Sequence, residues 1–337
     1  MSARSESARP GGSGAGFSSA RPASGVGDAI TIGVFDGLHL GHRDILARAL
    51  ERARTAGGRC VVVSFDPHPD LVLAPSFRAL PPLTPLPEKR ERLLELGVDA
   101  FEVLPFTREL ASLSPEDFVD RHLTGAFHPA WLVVGADFAL GHRRAGNVSR
   151  LAEIGRDRGF GMDAVPLHAL DGAPVSSTRI RAALGEGRVQ EAARLLGRRY
   201  RLAGRVVRGE AIGRDLGFPT ANLRLHEEKL VPAFGIYAVR ARLAGARELL
   251  PGAMSIGVRP TFGGQVPTLE VHLIDWNGEL VGQELEVEFV DWLRPEIRFD
   301  GRGALIEAMR RDVAETRVRL ASVREPEPWR APATGPA

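Results

Sequence analysis

Twelve residues near the start of the chain restrict its fold more than any others: Thr31-Ile32-Gly33-Val34-Phe35-Asp36-Gly37-Leu38-His39-Leu40-Gly41-His42. The apolar, β-prone run from Ala29 to Val34 stops at Asp36-Gly37, a turn-forming dipeptide. Beyond it Ile45, Leu46, Ala49, Leu50 and Ala53 fall on one face of a helix. A strand, a short turn and a helix predict a βα unit whose turn is an anion site. The first helical N–H groups have no partner within the helix, and the helix dipole is positive there. His39 and His42 are delivered to the same point. Each imidazole can donate hydrogen bonds to phosphate oxygens, neutral or charged.

The rest of the first half repeats this grammar. Cys60 to Phe65 reads as a buried parallel strand, ended by Asp66-Pro67-His68-Pro69 and followed by a proline-rich connection through Pro87. A helix over Glu88 to Leu96 and a strand over Ala100 to Leu104 come next. Ser114-Pro115 then starts a helix, with serine as cap. Trp131 to Val134 is another buried strand, and a helix over Val148 to Arg158 and a strand near Met162 to Val165 complete the series. Strands alternating with helices predict a Rossmann-like α/β domain with a parallel sheet covered on both faces. Ligands of such sheets bind beyond the carboxyl ends of the strands. The Phe35–His42 turn, Asp66–Pro69 and the loop from Gly135 to Asn147, which holds Asp137, all occupy such ends.

Ser176-Ser177-Thr178-Arg179-Ile180-Arg181 places three hydroxyls and two guanidiniums at another helix start. A cap needs one hydroxyl; this set suits a polyphosphate. A helix over Val189 to Leu196 follows, and Gly197-Arg198-Arg199 marks a boundary. Beyond it, five short segments (201–208, 234–240, 253–258, 268–274 and 284–290) alternate or are β-branched. They predict an antiparallel β-barrel. Asp300 then caps a final helix with Leu305, Ala308, Met309 and Val313 on one face. Within the barrel half, Gly204, Gly209, Gly213 and Gly217 let backbone approach a phosphate closely. Thr220 and Asn222 offer two neutral oxygen ligands suited to Mg²⁺ on a nucleotide. In Thr268-Leu269-Glu270-Val271-His272-Leu273, alternation puts Glu270 and His272 on the face away from the leucines and valine.

Composition removes several function classes. No apolar run approaches a membrane span. The single cysteine, Cys60, lies in an apolar strand and excludes a disulfide framework, which points to the cytoplasm. The formal net charge is only +2, and lysine occurs only at 89 and 229, so the arginines read as a solvated surface and no nucleic-acid partner is expected. Residues 1–28, rich in Gly, Ser, Ala and Arg, read as a disordered tail. The expected layout is this tail, the α/β domain over 29–197, the barrel domain over 198–322 and a loose, proline-rich tail over 323–337. The oligomeric state is not legible.

The phrase Gly33-Val34-Phe35-Asp36-Gly37-Leu38-His39-Leu40-Gly41-His42 resembles the opening of the prokaryotic bifunctional riboflavin kinase/FAD synthetase family, within the nucleotidyltransferase superfamily. Ser176-Ser177-Thr178-Arg179-Ile180-Arg181 is similar to the motif that closes that family's adenylyltransferase site. Val134 to Gly141 resembles its flavin/nucleotide loop, with Leu140 where the family usually has Phe. Gly204 through Asn222 resembles the flavokinase signature, and Glu270 stands at the family's catalytic glutamate. Two further departures are Arg199 in place of proline and Val281 in place of tyrosine.

The resemblance covers about residues 29 to 322 and implies two ATP-dependent steps. Riboflavin is phosphorylated to FMN, and FMN is adenylylated to FAD with release of pyrophosphate, with Mg²⁺ as cofactor. It implies His39, His42 and Glu270 as catalytic. Gly33, Phe35, Gly41, Ser177, Thr178 and Arg181 would bind ATP phosphates for adenylyl transfer, with Asp66 and Asp137 near flavin or nucleotide. Gly209, Gly213 and Gly217 would bind phosphate in the kinase, with Thr220 and Asn222 on the metal. Two other classes share single features. An aminoacyl-tRNA synthetase-like enzyme would need a lysine-rich second motif, which is absent, and a decayed flavin carrier would show broken catalytic positions, which are intact.

Overall fold

The computed structural model describes residues 17–18, 27–74, 81–209, 212–261 and 264–324. Among them the chain packs as two compact units, one of residues 17–18, 27–74 and 84–174, the other of 81–83 and 175–324.

The first unit is built on a six-stranded sheet: β1 (Phe17–Ser18), β2 (Asp28–Ile32), β3 (Cys60–Asp66), β4 (Ala100–Pro105), β5 (Pro129–Gly135) and β6 (Gly161–Val165). Their spatial order is β1-β4-β3-β2-β5-β6, and only β1 runs antiparallel. The expected parallel α/β sheet is present. The chain steps outward from β2 to β3 and β4, then returns to β5 on the other side of β2. The switch point therefore lies between β2 and β5, where such sheets bind ligands.

The strands are apolar throughout because both faces are covered. On one face Ala29, Val62, Phe101 and Val133 pack with Leu46, Ala49 and Ala53 of α1 (Leu40–Ala56) and Leu93 of α2 (Leu86–Glu95). On the other, Ile30, Val61, Val63, Leu132 and Val134 pack with Phe118, Leu123, and Leu151 and Ile154 of α3 (Val148–Arg158). Cys60 is wholly buried, as its apolar run implies. The tail reading of residues 1–28 needs correction at two places. Residues 17–18 add β1 to the sheet, and Asp28 opens β2, where its buried carboxylate holds Arg59 at 2.8 Å. Residues 1–16 and 19–26 of that tail, and 325–337, lie outside the described residues.

The second unit is a closed antiparallel barrel of six strands: β7 (Arg201–Val207), β8 (Ala221–Leu225), β9 (Gly235–Leu243), β10 (Leu250–Thr261), β11 (Gly264–Leu273) and β12 (Glu284–Arg294). They close in the order β7-β8-β11-β10-β9-β12. The strand absent from the sequence reading is β8. It begins inside the Pro219-Thr220-Ala221-Asn222 motif, whose last two residues are its first two. Alternation gives it away, since Ala221 and Leu223 are buried while Asn222 and Arg224 are not.

Against the barrel pack α5 (Val189–Leu196) and α6 (Arg302–Ser322), and α4 (Ser177–Gly185) packs on α5. The cap of α6 is Gly301, not Asp300, and no side chain bonds to that terminus. Its core-facing residues are Ala308, Asp312 and Thr316, and Asp312 is gripped by both arms of Arg294 at 2.8 and 2.7 Å. Buried Arg199 donates to the Arg324 carbonyl at 3.2 Å, so a hydrogen bond ties this linker where the resembled family has a proline ring.

Candidate active sites

In the first unit the turn after β2 is held in an unusual backbone. Phe35 and Leu38, neither of them glycine, have φ of 51° and 42°, in the left-handed region. Their side chains explain why. Both are buried in the core under α1, so the turn inverts to keep them out of water. Phe35 therefore has only its backbone to offer an ATP phosphate. His39 caps α1, its Nδ1 accepting from the His42 N–H at 3.4 Å. That bond leaves the Nδ1 of His39 unprotonated and the proton on Nε2. The His39 and His42 rings stack 3.6 Å apart, and Phe35 meets His42 edge-on. Gly33 and Gly41 flank the turn, and the ring of Phe35 fills the space beside Gly33.

Three further groups clamp this turn. The Val34 carbonyl accepts from Ser64 Oγ at 3.2 Å and from Lys89 Nζ at 2.7 Å. Buried Asp36 accepts the Thr84 N–H at 3.0 Å. Lys89 comes from α2 and is 5 % exposed. Burial pulls its ammonium down to about 8, against the pull of Asp36 and Asp66 in the other direction. The sequence reading passed over Lys89, although the signal was there. Leu86, Lys89, Leu93 and Leu96 share a helix face, so the one cation stands where an apolar residue belongs.

Asp66 is exposed at the end of β3, and Asp137 is exposed in the loop after β5. That loop is a small hairpin pairing Ala139–Leu140 with Gly146–Asn147. Leu140 settles into the core with Phe118 and Leu151, so the missing aromatic is replaced by ordinary packing. Asn147 caps α3, accepting from the Arg150 N–H. Close to the turn, His168 Nδ1 lies 2.6 Å from Asp44 Oδ2. Ser177, Thr178 and Arg181 begin α4, which packs within the second unit. There Ser176 caps the helix and Arg181 donates to the Pro81 carbonyl at 3.0 Å.

In the barrel, β8 and β11 pair so that Asn222 stands opposite Glu270. Thr220 Oγ1 lies 3.2 Å from Glu270 Oε2, which joins three of the predicted residues into one cluster. Leu269, Val271 and Leu273 are buried while Glu270 and His272 are half-exposed, as alternation predicted. His272 Nδ1 lies 2.9 Å from the Pro219 carbonyl; a carbonyl only accepts, so that nitrogen carries the proton. The glycines earn their places by contact. A Cβ on Gly209 would run into the Asn222 amide, and one on Gly213 would strike the Phe218 carbonyl. Gly217 adopts φ of 88°. A hydroxyl, an amide and a carboxylate form an all-oxygen donor set, which fits a hard divalent cation. Among the described residues no group of three His, Cys, Asp or Glu could hold a metal ion. Val281 is exposed in the turn before β12.

An anion-binding turn at the switch point of a parallel sheet, followed by a barrel with a hydroxyl–amide–carboxylate cluster, defines a phosphate-transferring enzyme of two domains. Comparison with known proteins agrees. Residues 22–179 match the FAD synthetase family and residues 196–320 the riboflavin kinase family. Among curated relatives, the bifunctional riboflavin kinase/FMN adenylyltransferase of Listeria monocytogenes is 37% identical, over 89% of this chain and 95% of that protein. The Pseudomonas fluorescens protein of the same name is 41% identical (86% and 92% covered), and the Escherichia coli K12 one 36% (86% and 90%). A solved structure described as a macrolide-efflux protein from Streptococcus pneumoniae superposes with a TM-score of 0.79 at 31% identity, covering 86% of this chain and 94% of that one. Among the described residues, no helix is long and apolar enough to cross a membrane. The chain belongs to the bifunctional riboflavin kinase/FMN adenylyltransferase family. Its sheet domain is an FAD synthetase and its barrel a riboflavin kinase, and ATP-dependent transfers of both kinds call for a divalent metal.

Proposed function

We propose that the chain converts riboflavin to FMN in its barrel and FMN to FAD in its first domain, in the cytoplasm, with Mg²⁺ as the metal. The observation that carries the barrel assignment is the Thr220–Glu270 contact, with Asn222 opposite Glu270 in the strand ladder. The riboflavin 5′-hydroxyl oxygen attacks the γ-phosphorus of ATP, the bond from that phosphorus to ADP breaks, and Glu270 accepts the hydroxyl proton. Thr220 and Asn222 would hold Mg²⁺, which neutralises charge on the phosphates. Gly209, Gly213 and Gly217 leave room for those phosphates beside the backbone.

Adenylyl transfer needs no base. The FMN phosphate oxygen is already a nucleophile; it attacks the α-phosphorus of a second ATP, and pyrophosphate leaves. What this step asks of the protein is positioning and donors for the growing negative charge. The N-terminus of α1, His39 and His42 supply them in this reading, and Ser177, Thr178 and Arg181 are assigned to ATP phosphates. Asp66 and Asp137 are assigned to flavin or nucleotide at the edges of the site. Incubation with riboflavin, ATP and Mg²⁺, followed by chromatography, tests the scheme: FMN should appear first and FAD after it. Formation of neither overturns it.

A further inference from the structure

Burying a lysine is costly, and a chain that meets nearly all its cationic needs with arginine keeps one at position 89. Its place suggests why. The turn between β2 and α1 holds two non-glycine residues, Phe35 and Leu38, at positive φ. Such backbone is strained for a residue with a Cβ and persists only where the surroundings over-determine it. Three contacts do so here: Ser64 and Lys89 on the Val34 carbonyl, and the Thr84 N–H on the Asp36 carboxylate.

We propose that Lys89 is a positioning residue for adenylyl transfer: its ammonium ties down the carboxyl end of β2 and, through it, sets where His39 and His42 present their donors. The proposal rests on the reading of the first domain as the site of FAD formation. Lys89 reaches no farther than Val34 and touches no predicted phosphate ligand, so it acts through the turn. An ammonium suits the place better than a guanidinium, because one carbonyl at the end of a buried stem offers a point acceptor and no bidentate partner. The charged groups facing it are Asp36, from the same turn, and Asp66, from the end of β3. When Lys89 loses its proton, the two carboxylates lose their counter-charge beside a site built for anions.

The sign of the pH dependence follows. Lys89 is charged below about pH 8 and neutral above it. The first-domain reaction should therefore slow as pH rises through about 8, and the barrel reaction, assigned to Thr220, Asn222 and Glu270, serves as the control in the same molecule.

The test uses the full chain and Lys89→Met, assayed for FMN-to-FAD and riboflavin-to-FMN conversion with ATP and magnesium chloride. The variant should lose about 10- to 100-fold in kcat for FAD formation, since a displacement of about 1 Å can cost 10²-fold. KM for ATP should change less than kcat, and riboflavin phosphorylation should stay within about twofold. The unmutated protein should show the limb near pH 8 in FAD formation only, and the residual activity of Lys89→Met should lack it. Unchanged FAD kcat in the variant, or equal loss of both activities in a folded variant, overturns the proposal. If the variant does not fold, the unmutated pH profile decides: a limb confined to FAD formation supports the role, and a flat profile or a limb shared by both reactions overturns it. If the unmutated chain makes no FAD at all, the reading of the first domain falls, and the proposal with it.

Discussion

The turn that presents His39 and His42 is nearly closed to water, with Phe35, Asp36, Leu38 and His39 all buried, whereas Thr220, Asn222 and Glu270 stand half-exposed on the barrel. The first place stores backbone strain and is clamped from three sides; the second is a regular strand ladder that carries the Thr220–Glu270 contact. The two chemistries proposed for these places account for the contrast. An anionic nucleophile needs fixed donors, and fixed donors need a rigid frame. A neutral alcohol needs a proton acceptor, and a half-exposed carboxylate can return its proton to solvent after each turnover. Rigidity is thus concentrated where positioning is the main contribution to catalysis.

The sharpest way to break this comparison is His42→Ala. FAD formation should fall about 10²–10³-fold, the usual cost of an oriented donor to transition-state charge, with FMN formation nearly intact. Parallel assays of both reactions check it; equal loss in a folded protein would mean the two sites are not separate. Glu270→Gln is the mirror experiment. If Glu270 is the base, the change should lower kcat for FMN formation by about 10²-fold, the low end for a general base because the transition state is loose. FAD formation from supplied FMN should not change. Single-turnover phosphorylation at the unmutated rate would return Glu270 to the ordinary surface.

Gly209→Ala probes the looser site by steric means. Its methyl group would displace the Asn222 amide, and roughly 10-fold loss of FMN formation is expected, with no effect on FAD formation. A steady-state assay with varied magnesium would show a rightward shift if Asn222 holds the metal.

A smaller effect concerns where the barrel unit begins. The expected boundary at 197 leaves α5 behind, yet Val189, Ala192, Ala193, Leu195 and Leu196 of that helix are buried, and α5 packs on β12. A fragment of residues 175–337 should melt roughly 5 °C or more above one of 198–337, because the shorter piece exposes that apolar face. Both should phosphorylate riboflavin. Equal melting temperatures would restore the boundary at 197. The smallest expected effect is at Cys60. Burial pushes its thiol up to about 12, so a thiol reagent at neutral pH should label it only after denaturant is added.

Much of this was legible in the residues. The parallel sheet followed from apolar runs between helical stretches, since a strand buried on both faces has no polar side to show. The placement of Glu270 followed from period-two alternation on β11, and the anion turn followed from a strand stop, Asp36-Gly37 and two histidines at a helix start. These signals are local, carried by neighbours in the chain, and a sequence displays neighbours directly. Family motifs added the order of the two reactions.

Other features belong to the tertiary structure alone. The cap of α6 lies at Gly301 and not Asp300 because the chain's path, not side-chain preference, ends that loop. The place of β8 in the barrel, between β7 and β11, is set by pairing with strands far from it or across a turn in the chain. The clamp on the turn joins residues far apart in sequence: Val34 meets Ser64 and Lys89, and Asp36 meets Thr84. Periodicity can show that Lys89 lies on a buried helix face, but it cannot say which carbonyl waits there. The sequence by itself determined which segments fold as strands and helices and which carry charge toward phosphate. The packing of α2 against the end of β2 decided how tightly that charge is aimed, because contacts between distant segments exist only once the sheet has brought them together.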